Sequence, residues 1–152
     1  MKIKQLACAF LTLLTLANSA MAQNQSWPEN LQSQRKKVMD RYIMDLQNAD
    51  YKDIVQLFEK EGYVISTSKG NVNAKDFFFA FLPLIQNAKT EVHQGFYSDR
   101  DQNKYAVRFH FNFTLKDGET GDGEYVDEFS FTEGTSKLAS VYMFENLNFI
   151  KQ

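Results

Sequence analysis

Asp127 is the side chain whose setting most invites chemistry. It alternates with Tyr125, Phe129 and Phe131, so a strand with those rings inward also turns the carboxyl inward. A buried carboxylate is costly enough to demand protonation or a partner. Tyr42 carries a second polar tip on the apolar stripe of a helical segment, where a tyrosine commonly belongs to the core and a neighbour satisfies its hydroxyl. His93 and His110 are the chain's two imidazoles. His93 is a candidate acid or base on a stretch without clear alternation. His110 shares a face with Arg108 and Asn112 and is expected in solvent or at an interface.

Familiar catalytic signatures do not fit. Gly118-x-x-Gly121-x-Gly123 falls in a hairpin turn and not between a strand and a helix, so it offers no helix N-terminus to a phosphate. Asp117, Glu119 and Asp122 miss the calcium-loop spacing, and neither G-x-S-x-G nor H-E-x-x-H occurs. Two histidines exclude a His-rich metal site, leaving a mixed histidine and carboxylate set as the remaining metal option. No metal and no cofactor is expected.

The elements that must position these groups follow from periodicity. Ser26-Trp27-Pro28-Glu29 has the form of a capping box. From there Leu31, Val38, Met39, Tyr42, Ile43 and Leu46 fall on one helical face to about Asn48. Asp50 caps a second helix with Ile54, Leu57 and Phe58 inside, and Gly62 reads as its C-terminal stop before the strand Tyr63 to Ser66. Thr67 to Asn73 reads as a loop. Asn73 then caps a third helix through Gln86, its stripe formed by Phe77, Phe78, Phe81, Leu84 and Ile85, with a kink or break at Pro83. After Lys89 the period becomes two, and turns at 99–103, 117–123 and 133–136 divide four antiparallel strands. In one of them Tyr105, Val107, Phe109, Phe111 and Phe113 alternate with Arg108, His110 and Asn112, covering a cavity or core on one side. Helices followed by a meander make an α+β fold.

The start of the chain reads as a secretory signal peptide over 1–22, leaving one domain over 23–152. Lys2 and Lys4 precede an apolar run from Leu6 to Ala17, and Ala20-Met21-Ala22 supplies the small residues for cleavage after Ala22. The run is about 12 residues, short of the roughly 20 that span a bilayer. Leu6-Ala7-Cys8 resembles a lipid-attachment box, but the apolar run follows the cysteine instead of preceding it. With Cys8 removed, the exported chain, periplasmic or secreted, has no thiol for a disulfide or a nucleophile. The formal charge of −2 becomes more negative once Lys2 and Lys4 leave, so nucleic acid is not an expected partner. The basic run Arg35-Lys36-Lys37 fans around a helix and reads as a solvated face.

Met39-x-Arg41-Tyr42-Ile43, Asp50, Ile54-Val55-Gln56 and the strand entry at Val64 resemble the ketosteroid isomerase pattern without a gap. Asp127 to Phe131, followed by Glu133-Gly134, is a second match. The chain thus resembles the NTF2-like superfamily, in its SnoaL-like and ketosteroid isomerase-like branch, and the resemblance implies a bent sheet wrapped on helices around a conical cavity. It places Tyr42 at the oxyanion tyrosine and Asp127 at a protonated aspartic acid. The shared pocket is expected to be bounded by Val107, Phe109 and Phe129, with Met143 on its face. Glu145 would share that face with Val141 and Met143 and is a spare candidate base or a partner to Asp127. His93 would match the strand histidines of dehydratase and cyclase relatives. The general-base position holds Ser66, and a serine hydroxyl is too weak a base for a carbon-bound proton unless another group activates it. Steroid isomerisation is therefore not expected.

Three functions remain open on this reading. The first is an exported protein binding a small, largely apolar or carbonyl-containing molecule. The second is a cyclase, isomerase or dehydratase using Asp127 and Tyr42, and the third an envelope assembly module whose cavity is filled by side chains. The resemblance also implies a homodimer through the outer sheet face.

Overall fold

A computed structural model describes residues 29–147. The expected signal peptide, Cys8, the cleavage point after Ala22 and the cap residues Ser26 to Pro28 lie outside the described residues. Three helices, α1 (Glu29–Asn48), α2 (Tyr51–Ile54) and α3 (Ala74–Phe81), pack on a six-stranded sheet made of β1 (Phe58–Ser66), β2 (Gly70–Asn73), β3 (Ile85–Tyr97), β4 (Lys104–Leu115), β5 (Thr120–Phe131) and β6 (Leu138–Leu147). The strand order is β2-β1-β6-β5-β4-β3. The sheet is mixed, curved and unclosed, so the α+β expectation holds. Among the described residues no helix is long and apolar enough to cross a membrane.

The inner stripe of α1 forms as its spacing predicts, with Met39, Tyr42, Ile43 and Leu46 buried. At about 1.5–3 kcal/mol for each large apolar side chain removed from water, that stripe anchors the helix to the sheet. Asp50 caps α2, accepting the Asp53 amide at 3.0 Å, and Asn73 caps α3, accepting the Lys75 amide at 3.0 Å. Pro83 ends α3 in a single 3-10 turn, Leu82–Leu84. The helix therefore breaks there instead of reaching Gln86.

Three local readings change. Helix α2 gives way to a 3-10 turn at Val55–Leu57, and the strand begins already at Phe58. Gly62 is not a helix stop but part of an irregularity between Phe58 and Tyr63 in the pairing with β6. A Cβ on Gly62 would lie 2.9 Å from the Phe58 Cβ and 3.0 Å from the Glu59 carbonyl oxygen, so the bulge closes only around a glycine. The segment 67–73 is a hairpin, because β2 returns antiparallel on β1 from Gly70, whose φ of 69° suits glycine at the turn.

Arg35 also departs from expectation, being 0% exposed and not on a solvated face. Its Nε donates to the Thr135 carbonyl at 2.9 Å and Nη1 to the Gln102 carbonyl at 2.9 Å. Nη2 donates to Asn103 Oδ1 at 2.9 Å and to the Thr132 carbonyl at 3.1 Å. The guanidinium also lies 5.0 Å from the centre of the Phe131 ring. It thus ties α1 to the two turns at one end of the meander. Lys36, by contrast, stays exposed in an i, i+4 pair with Asp40.

Candidate functional site

A cavity of about 600 Å³ opens between the sheet and α3. Alternation on β4 and β5 builds one wall, with Phe109 opposite Tyr125, Phe111 opposite Gly123 and Phe113 opposite Gly121. On β6, Met143 stands opposite Asp127 and Glu145 opposite Tyr125. Phe77, Ala80 and Phe81 of α3 close the other side, with Tyr42 and Leu46 of α1 deeper in. Polarity follows depth. Tyr42 and Asp127 are buried, whereas Ser68, Lys69 and Asp76 are exposed at the rim.

Gly121 shapes that wall, since a Cβ on it would overlap the Phe113 ring. A bare backbone on β5 lets the ring lie across the strand while its edge meets Phe81 at 5.4 Å between centres. Gly121→Ala is expected to push Phe113 off the strand and into the cavity. The fold should survive while affinity for bulky ligands falls, which a crystal structure paired with a size series of hydrocarbons would register; an unmoved ring refutes the contact.

Tyr42 and Asp127 are buried next to each other, each interacting with the other's side chain, and no other protein group pairs with Tyr42 Oη or Asp127 Oδ1. Burial, the largest cause, pushes Asp127 up to about 8; the neighbouring Tyr42 hydroxyl lowers it and the Glu145 charge raises it. Burial also raises Tyr42 well above the usual phenol value, with Asp127 adding to the shift. At neutral pH both are therefore protonated donors in an apolar wall, able to serve an oxygen that brings its own lone pairs. Glu145 is held by Thr67, whose Oγ1 donates to its Oε2 at 2.8 Å.

No protein-family model matches the chain, and no curated protein does. Solved structures do. The epoxide hydrolase/cyclase-like enzyme SalBIII, of pyran ring formation in the polyether salinomycin, superposes with a TM-score of 0.62 at 18% identity, over 76% of this chain and 92% of its own. An NTF2-like protein of unknown function from Exiguobacterium sp. 255-15 gives 0.59 at 17%, over 72% and 98%. The chain has an NTF2-like fold. A third match, RV0760c from Mycobacterium tuberculosis in complex with estradiol-17beta-hemisuccinate, gives 0.60 at 11% identity, over 74% and 94%.

Within this NTF2-like frame the expected site residues separate into two groups. Tyr42, Asp127, Phe109, Met143 and Glu145 meet at the cavity. Val107, Phe129 and Ser66 do not line it. Phe129 is fully buried beneath it, edge-on to Tyr42 at 5.1 Å. Val107 faces a smaller hollow shared with Met39 and Phe96. Ser66 is buried with its Oγ accepting the Lys69 amide at 3.0 Å, so its hydroxyl braces the β1–β2 turn. The cavity is displaced toward Phe111, Phe113 and the α3 phenylalanines because α1 fills the other end of the cone.

His93 also lies elsewhere. It sits on the outer face at the register shift between Val92 and Gln94, with Nε2 3.3 Å from Glu124. His110 shares that face, its ring between Glu124 at 3.1 Å and Asp122 at 2.5 Å. These two acids, Glu124 foremost, raise the His110 pKa. Among the described residues no group of histidines and acids has the geometry to hold a metal ion.

Proposed function

We propose that this protein is exported and binds a small, largely apolar molecule through one oxygen atom in its NTF2-like cavity. The observation that carries this reading is the pair of buried, neighbouring polar groups, Tyr42 and Asp127, which have only each other as protein partners in an aromatic wall. An apolar cavity with a few convergent polar groups is the usual form of a small-molecule site. Its open volume argues against the assembly-module reading, which needs a cavity filled by side chains. The bound estradiol-17beta-hemisuccinate of the Mycobacterium structure joins a largely apolar steroid nucleus to oxygen-bearing groups, one of them a free carboxylate.

Naphthol and naphthalene are a matched pair of probes. Each should raise thermal stability, by about 2.7 kcal/mol at one hundred times its dissociation constant. Naphthol should bind about tenfold more tightly, the worth of one well-placed hydrogen bond. Asp127→Ala should erase that preference while naphthalene still binds. Equal affinities in the wild type would sink the oxygen-anchored reading.

A second reading, a cyclase, isomerase or dehydratase, is favoured by one observation. Glu145 adds a carboxylate to the cavity wall that holds the two donors. Its carboxylate would take a proton from substrate carbon while Tyr42 and Asp127 hold the developing oxyanion. Turnover of a β,γ-unsaturated ketosteroid by the wild type, lost in Glu145→Gln, would establish this reading and overturn the pure binding role.

Export has its own measurement. The mature protein is expected to start at Gln23, with the intact mass of a chain lacking residues 1–22, in a fraction outside the cytoplasm. A product retaining Met1 to Ala22 overturns export.

A further inference from the structure

We infer that a cleft on the opposite side of α3 from the large cavity is a second binding site, taking a phosphate-bearing ligand. The cleft measures about 540 Å³ and is lined by Lys52, Lys60 and Lys75, from α2, β1 and α3, together with Phe79, Glu59 and Gly62. Among the described residues none of the three ammonium groups enters an ion pair. Two of them rest on aromatic faces. Lys52 Nζ lies 5.7 Å from the centre of the Tyr51 ring and Lys75 Nζ 5.7 Å from that of Phe79. Those rings meet edge to face at 4.8 Å. A cation–π contact uses one side of an ammonium group and leaves donors on the other.

The charge balance selects the ligand. Three lysines and Glu59 leave the cleft doubly positive on a protein whose formal charge is −2. Like charges gathered without counterions repel, and a dianion relieves them while accepting several charge-assisted hydrogen bonds. The first turn of α3 also borders the cleft and adds its partial positive charge. Its acidic residue, Asp76, lines the large cavity instead. That cavity carries Asp76, Glu145 and the protonated Asp127 against Lys69 alone, so a dianion is directed to the lysine cleft. Phe79 is 42% exposed and gives an apolar resting place to the rest of a phosphate ester.

The test is titration of the full mature chain with inorganic phosphate, followed by amide NMR at about pH 7. Saturable shifts are expected at Gly62, Ala74 and Lys75 and not at Asp127. They should weaken about tenfold in Lys60→Gln/Lys75→Gln, two exposed substitutions whose folding is checked by an unchanged melting temperature, and fade in about 0.5 M chloride. Unsaturable shifts, shifts equal in the double variant, or shifts confined to the large cavity overturn the site. Sedimentation with phosphatidylglycerol vesicles separates the sources: co-sedimentation lost in the double variant assigns the site to lipid headgroups. Saturable phosphate binding with the protein left in solution assigns it to free phosphate esters. Asp127→Asn should leave phosphate binding unchanged, which separates this site from the oxygen-binding cavity.

Discussion

Arg35→Ala is expected to lose about 3 to 5 kcal/mol of stability, read as a lower denaturation midpoint in urea at unchanged slope. The guanidinium serves four acceptors drawn from two separate turns. Truncation leaves those oxygens buried, at about 1–3 kcal/mol for each that water cannot reach. Arg35→Lys should recover little, because an ammonium is a point donor and cannot span the fork that Nε, Nη1 and Nη2 fill together. The loss should also appear locally, as faster amide exchange at 102–103 and 132–135. A loss below about 1 kcal/mol would mean that water replaces the guanidinium without cost.

The second large effect is a fall of stability with rising pH that Asp127→Asn removes. In the folded protein Asp127 keeps its proton to about 8, whereas in the unfolded chain an aspartate releases it near 4. Across that window the unfolded state binds fewer protons, so stability declines by about 1.4 kcal/mol per pH unit. The contribution is fully present below about 4 and is lost as pH rises through 8. Asp45 acts in the same direction. It is 4% exposed with Oδ2 unpaired, and burial first, then Asp53 and Asp50, push it up to about 7 against the opposing Arg41 charge. Subtracting the Asp127→Asn curve from the wild type isolates the Asp127 part. Parallel curves from pH 4 to 8 would show that Asp127 is already ionised in the folded state. Affinity for an acceptor oxygen should fall over the same final step, since an ionised carboxyl no longer donates.

The sequence revealed the groups that local pattern determines and hid those that depend on distant chain. Asp127 and Phe109 were legible because alternation fixes which face a strand residue takes, and Met143 because the resemblance supplied the register of the last strand. Tyr42 followed from helical spacing. Val107 and Phe129 share the inner face with Asp127, yet alternation does not tell how far α1 slides down the cone and covers them. His93 could not be placed from the sequence, because its stretch shows no clear alternation and β3 shifts register around it. Arg35 was hidden because its partners are backbone carbonyls and a distant asparagine, invisible to charge patterning. Gly62 carried the right signal, a position needing glycine, but a bulge and a helix stop ask for the same residue. Ser68 and Lys69 at the rim were missed because 67–73 has little apolar content and reads as loop until β2 folds back, and Asp76 because it stands off the phenylalanine stripe of α3.

The placement of β6 has a consequence for the order of assembly. It is the last of the described strands, yet it sits between β1, its parallel neighbour, and β5. Val64 finds Val141 as its partner only after almost the whole domain has been made. Until then β1 and β2 form a hairpin with one raw edge, β3 to β5 form a ribbon with another, and the half-sheets share no hydrogen bond. Joining them closes a long loop, a cost met before any pairing is gained, so folding is expected to be a late and concerted event. A chain ordered this way stays threadable until its final residues emerge, the condition a polypeptide must meet to cross a membrane before it folds.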